Sequence, residues 1–281
     1  MKALFLSVLL IPALTQAQRW HINVTGGLSN YSGDLQGNAY TFNQSLFAFG
    51  AGVQYDITRN FSAISNISFM KVGARDQFNN PDLVFRNLSF QSNIIEWNLV
   101  GEYTFLDMTR SSFSPFIFGG IAAFHFNPYA FDSLGRKVFL KPLSTEGEGL
   151  TQYPNQKPYN LLQVAIPFGG GIKFRVSDNV VLAYEVGFRK TFTDYLDDVS
   201  SYYVDKNILL AAKGPQAVEM AFREGELKGG STTYPPSGTM RGSSKYKDMY
   251  YYTGIRVSIA LLNRKDGYYG RGRTDCPRGV Q

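Results

Sequence analysis

Cysteine is almost missing from this chain of 281 residues: Cys276 stands alone, so no intramolecular disulfide forms, and no ligand spacing of the zinc type exists. Histidine is nearly as scarce, with only His21 and His125. Long apolar runs are confined to the first residues. Beyond Leu14 no uncharged apolar stretch reaches about 18 residues, which excludes a helical membrane protein. Charged residues make up only 18%, while aromatics reach 15% and glycines number 28. That balance favours β-structure with an aromatic surface over a soluble helical domain. The net charge of +6 is spread over scattered or terminal basic residues, a poor fit to a nucleic-acid-binding face.

The chain opens MKALFLSVLLIPALTQAQRW, with Lys2 before an apolar run and small residues at Thr15 and Ala17. This pattern predicts an export signal cleaved after Ala17; no cysteine follows the cleavage site, so a lipoprotein anchor there is not expected. After it come segments of ten or more residues that alternate apolar and polar, the period of a strand. They run Trp20–Asn30, Leu46–Tyr55, Phe61–Val72, Phe90–Phe105, Phe113–Phe126, Gln163–Val176, Asn179–Phe192 and Met249–Leu262. Short polar turns (56–60, 106–112, 177–179) alternate strictly with long links (32–44, 74–87, 127–160, 193–247). Such asymmetry predicts an all-β fold: an eight-stranded antiparallel transmembrane outer-membrane β-barrel with periplasmic turns and long external loops.

The strand faces point the same way. Ile95, Trp97, Leu99, Tyr103 and Phe105 share one side of the fourth segment, and Glu96, Asn98, Glu102 and Thr104 the other. An apolar exterior against lipid and a polar, narrow lumen inside explain this division. Glycine clusters such as FGGGIKF (168–174) suit tight curvature.

Residues suited to catalysis are few. On this topology His21 and His125 fall at opposite ends of the barrel, roughly 25 Å apart, and cannot join one triad. His125 beside a serine and an acid is the remaining catalytic option; a hydrogen-bonded lumen residue is the simpler reading. Lumen charges are Glu96, Glu102, Lys173, Glu185, Arg189 and Arg256. Glu185 and Arg256 lie near mid-height on adjacent strands, predicting a structural ion pair within a side-chain plug. The stretch TFTDYLDDVSSYYVD carries Asp194, Asp197, Asp198 and Asp205 without the spacing of a calcium loop. It is expected to form a solvated, ordered base for the largest external loop, with calcium as the alternative. Farther along that loop, Pro215 starts an expected short helix with Val218, Ala221 and Phe222 on one face, ended by Gly229 and Gly230. A link of this length suits a lid or docking surface.

Four blocks carry a family likeness: YSGDLQG (31–37), RKTFTDYLDDVSSYYVD (189–205), RGSSKYKDMYYYTGIRVS (241–258) and a basic tail containing CP. Together they resemble the PorG family, outer-membrane barrels of the Bacteroidota associated with the type IX secretion system. Asp194, Tyr195, Asp197 and Asp198 are the family signature at the loop base. The resemblance implies a non-enzymatic accessory component without cofactor or metal, partnered by outer-membrane lipid and by periplasmic ring proteins of PorK and PorN type. Residues 1–17 are then the signal peptide, 18–262 the barrel and 263–281 a basic periplasmic tail in which Arg271, Arg273 and Cys276 are candidate partner contacts. A small porin-like channel and an envelope lipid-modifying enzyme are the competing functions.

Overall fold

The computed structural model describes residues 19–37, 41, 43–245 and 247–261. The expected signal peptide and the tail with Arg271, Arg273 and Cys276 lie outside the described residues.

Among the described residues ten strands form: β1 (Arg19–Ser32), β2 (Leu46–Asp56), β3 (Phe61–Arg75), β4 (Ser89–Thr104), β5 (Phe113–His125), β6 (Pro128–Phe131), β7 (Lys137–Phe139), β8 (Leu162–Arg175), β9 (Val180–Thr191) and β10 (Met249–Ala260). Eight of them pair antiparallel in the cycle β1-β2-β3-β4-β5-β8-β9-β10, and β10 returns to β1, closing the barrel. The other two, β6 and β7, make a hairpin that joins the wall where Tyr129 faces Gln91 of β4. The eight-stranded barrel is as expected, and the hairpin is an addition within the third long link. The local reason is a tight turn in which Asp132 Oδ1 accepts from the Leu134 and Arg136 amides and Gly135 takes φ +75°.

Alternation sets the faces. Along β4, Ile95, Trp97, Leu99 and Tyr103 lie outward, each more than two-fifths exposed, whereas Glu96 and Glu102 are fully buried. An apolar outside and a polar inside invert the soluble pattern and are the arrangement of an outer-membrane β-barrel. Close strand approach requires glycine at Gly171, where a Cβ would stand 1.9 Å from the Tyr184 carbonyl oxygen.

The apolar core sits at the end of the barrel that carries the long links, here the loop end. There Tyr31, Phe90, Phe124, Phe126, Leu196 and Leu209 pack together beneath the folded links. Two short helices belong to this cap: α1 (Lys206–Lys213) and α2 (Pro215–Ala221). Asp205 caps α1 by accepting from the Asn207 and Ile208 amides. Pro215 does begin α2, but the helix stops at Ala221 rather than near Gly229, because Phe222 turns extended and its ring meets Tyr203 and Tyr234. Its buried face is Ala217, Met220 and Ala221.

Candidate functional site

Two polar assemblies stand out, one inside the barrel and one above it. Within the lumen, β4 supplies two buried carboxylates at different heights. Glu102, nearer the short turns, accepts from both Lys173 of β8 and Arg256 of β10. Lys173 Nζ also donates to Thr104 Oγ1 at 2.8 Å, and the Phe116 ring faces both cations. Glu96, closer to the loops, accepts from Arg189 of β9 at 3.2 Å, from Asn98 Nδ2 at 2.8 Å and from Tyr250 Oη at 2.6 Å. Each carboxylate thus ties strands on opposite walls. The lumen void beside them measures about 20 Å³, lined by Thr25, Asn66, Asn98, Glu185 and Arg189 among others, which is room for about one water.

Arg256 Nε lies 3.3 Å from Glu185 Oε2, on the neighbouring strand. Its other carboxylate contact is Glu102, across the barrel, which the sequence did not reveal. His125 does not enter the lumen: it ends β5 on the outward face, between buried Phe124 and Phe126, because the alternation puts odd positions of β5 outside. His21 lies at the opposite end of the barrel, with Nδ1 3.7 Å from Asp56 Oδ2.

The second assembly is the cap. Tyr31, at the end of β1, places Oη 2.6 Å from Asp197 Oδ2 and 2.8 Å from Asp248 Oδ1. Asp197 also accepts from the Val199 amide and Asp248 from the Leu196 amide. Asp198, in the left-handed region at φ +65°, accepts from Tyr159 Oη at 2.6 Å and Thr145 Oγ1 at 2.7 Å. Glu146 gathers the amides of Ser200 and Ser201 and the Arg241 guanidinium at 2.9 Å. Arg241 donates further to the carbonyls of Asp198 and Ala221. Asp34 accepts from the Ser243 amide, Asp194 from Ser200 Oγ at 2.7 Å, and the Tyr195 ring stacks on Tyr159.

Three of the four aspartates are therefore ordered but not solvated, contrary to expectation: Asp194, Asp197 and Asp198 are at most 2% exposed, while Asp205 is half-buried at the α1 N-cap. The cause is the third long link, which brings Thr145, Glu146, Glu148 and Tyr159 down onto them. Among the described residues no group of three or more His, Cys, Asp or Glu side chains is placed to hold a metal ion.

One hydroxyl has one proton to give, so Tyr31 can donate to only one of its two carboxyl partners. The other must be protonated and donate back. Burial pushes both Asp197 and Asp248 well above the usual carboxylate range, and repulsion from Asp248 adds to the rise at Asp197. Burial likewise lifts Asp194 and Asp198 to about 6, and Glu148 to about 8 with repulsion from Asp198 and Glu146 added. These groups keep protons in the folded cap that the unfolded chain releases. Their stabilising effect is full below the unfolded values and is lost as pH rises through the folded ones. Protection of the 193–205 backbone against hydrogen exchange, corrected for the intrinsic rate, should therefore fall as pH climbs from about 4 to 8. Constant or rising protection over that window would contradict the shared-proton cap.

Among solved structures, the fold is similar to neisserial surface protein A, at 9% identity over 87% of this chain and 99% of that one, with a TM-score of 0.42. A major outer membrane protein from Thermus thermophilus is similar at 10% identity over 88% of this chain and 100% of that one, TM-score 0.43. Ail, the attachment invasion locus protein of Yersinia pestis, is similar at 8% identity over 87% and 99%, TM-score 0.39. No curated protein matches the sequence. The sequence matches a protein family over residues 2–138 and 143–209, from the first residues through β9 into α1 and including two of the cap blocks, and the chain accordingly belongs to the family described as "Domain of unknown function (DUF6089)".

Proposed function

We propose that this protein is a closed, non-enzymatic outer-membrane barrel that serves the type IX secretion system as an accessory component, holding a periplasmic ring of PorK and PorN type at the membrane. The observation that carries the reading is the cap. The three described blocks behind the PorG resemblance, YSGDLQG, TDYLDDVS and RGSSKYKD, lie far apart in sequence and meet in one buried network through Tyr31, Asp197, Asp198, Arg241 and Asp248. A likeness spread over three segments that build one object is a likeness of architecture. The ion-paired lumen supports a structural role over conduction, since two buried carboxylates each bridge the walls.

On this reading outer-membrane lipid surrounds the apolar band, the long links face outward, and residues 263–281 extend into the periplasm. Affinity capture of the tagged barrel from its own envelope, with and without residues 263–281, tests the role. Ring proteins should be retained by the full chain and reduced when Arg271, Arg273 and Cys276 are removed with the tail; their absence in both captures would overturn the secretion reading. In planar bilayers the purified barrel should give no stable conductance, and steady single-channel steps would favour the porin-like alternative.

A further inference from the structure

The hairpin β6–β7 is not needed to close the barrel, and its outward face has an unusual composition. Tyr129 faces Gln91 across the β4–β6 pair, and its Oη donates to Gln91 Oε1 at 2.9 Å. Two ammonium groups lie over its ring: Lys137 Nζ at 3.8 Å from the centroid, and Lys71 Nζ of β3 at 5.9 Å. Phe131 and Phe139 flank the ring edge-on and are each more than two-fifths exposed. Among the described residues neither lysine has a carboxylate within ion-pair distance, although such pairs form elsewhere on the surface, as between Arg136 and Asp132. The aromatic ring orients the lysines without neutralising them.

The height of this patch is the second observation. Lys71 follows Phe61 by ten residues along β3, and at about 3.3 Å per residue with a tilt near 40° that climb is about 25 Å, the height of a barrel's apolar band. Directly below it the outward residues are Phe69 and Ile95, both exposed and apolar. The lysines therefore stand at the upper edge of the lipid-facing band and continue it, with Phe131 and Phe139 beside them. Resting on the outward orientation proposed above, we infer that Lys71 and Lys137, held over the buried Tyr129 ring, form a binding site for the phosphate group of an acylated glycolipid of the outer leaflet, with Phe131 and Phe139 against its acyl chains.

Charge near a membrane surface is worth about a five-fold change in affinity per lysine, so removing both should cost about 25-fold. The test uses the full chain in detergent, with native mass spectrometry and bisphosphorylated lipid A as probe. Wild type should retain the lipid, and K71Q/K137Q should need about 25-fold more to reach the same occupancy, with an unchanged folded-band shift on unheated gels. Equal retention by the double variant, equal retention of dephosphorylated lipid, or full displacement by millimolar inorganic phosphate would each overturn the site. Leu134→Cys in a Cys276→Ser background separates the two readings, because Leu134 is exposed at the hairpin tip. Labelling of that thiol on intact cells by an impermeant maleimide, without lipid selectivity, defeats the glycolipid site alone; no labelling defeats the orientation and the site together.

Discussion

Replacing Glu102 with alanine is expected to lower the stability of the folded barrel by about 3–5 kcal/mol, the cost of stranding buried charge. Glu102 is fully buried and is the carboxylate between Lys173 and Arg256. Its removal leaves Lys173 with the Thr104 hydroxyl and Arg256 with Glu185 of the neighbouring strand at 3.3 Å. Urea-driven unfolding in phospholipid vesicles reads the loss directly. Glu102→Gln keeps an acceptor of nearly the same shape and should lose less. The double variant Glu102→Ala/Lys173→Met removes one stranded cation and should recover part of the loss; if it merely adds to the damage, the penalty is not one of uncompensated charge. A loss below about 1 kcal/mol for Glu102→Ala would mean that water reaches the site freely, against a closed lumen.

Arg241→Ala should have a comparable effect confined to the cap, about 3–5 kcal/mol. Arg241 is 3% exposed and joins Glu146 to the carbonyls of Asp198 and Ala221, so it ties the third long link, the aspartate block and α2 together. Burial alone would lower its pKa, but Glu146 and Asp198 outweigh that and hold it raised. Without it Glu146 keeps its amide and hydroxyl donors from Ser200 and Ser201 and has no counter-charge. Hydrogen exchange in 193–205 and in α1 and α2 should accelerate by about two to four orders of magnitude while the barrel strands stay protected. Unchanged exchange in the cap would show that Arg241 is not its keystone; equal acceleration in the strands would show that cap and barrel unfold as one unit.

Most of the barrel was legible in the sequence because a strand writes its period locally. The eight wall strands fall within a few residues of the alternating segments, and the inward and outward sets of β4 match position for position. The β6–β7 hairpin was missed although its signal was present: alternating PYAF and KVF flank a Gly-containing turn. Helix α1 also has a local sign, Asp205 at its N-cap, which grouping Asp205 with the other aspartates conceals. The burial of Asp194, Asp197 and Asp198 had no such local sign. It depends on residues about 50 positions earlier, such as Thr145 and Glu146, folding over them.

The sequence by itself determined which faces of the wall strands are apolar and outward and which are polar and inward, where the wall strands turn and which links are long, since each follows from a two-residue period and from turn chemistry read within a few positions. Only the tertiary structure decided which charge meets which. Glu102 reaches Lys173 and Arg256, 71 and 154 positions away, because closure of the barrel brings opposite walls within the reach of a side chain. It also decided that Tyr31, Asp197 and Asp248 share protons in a buried cap, because desolvation depends on what packs above a carboxylate, and no stretch of sequence around that carboxylate specifies it.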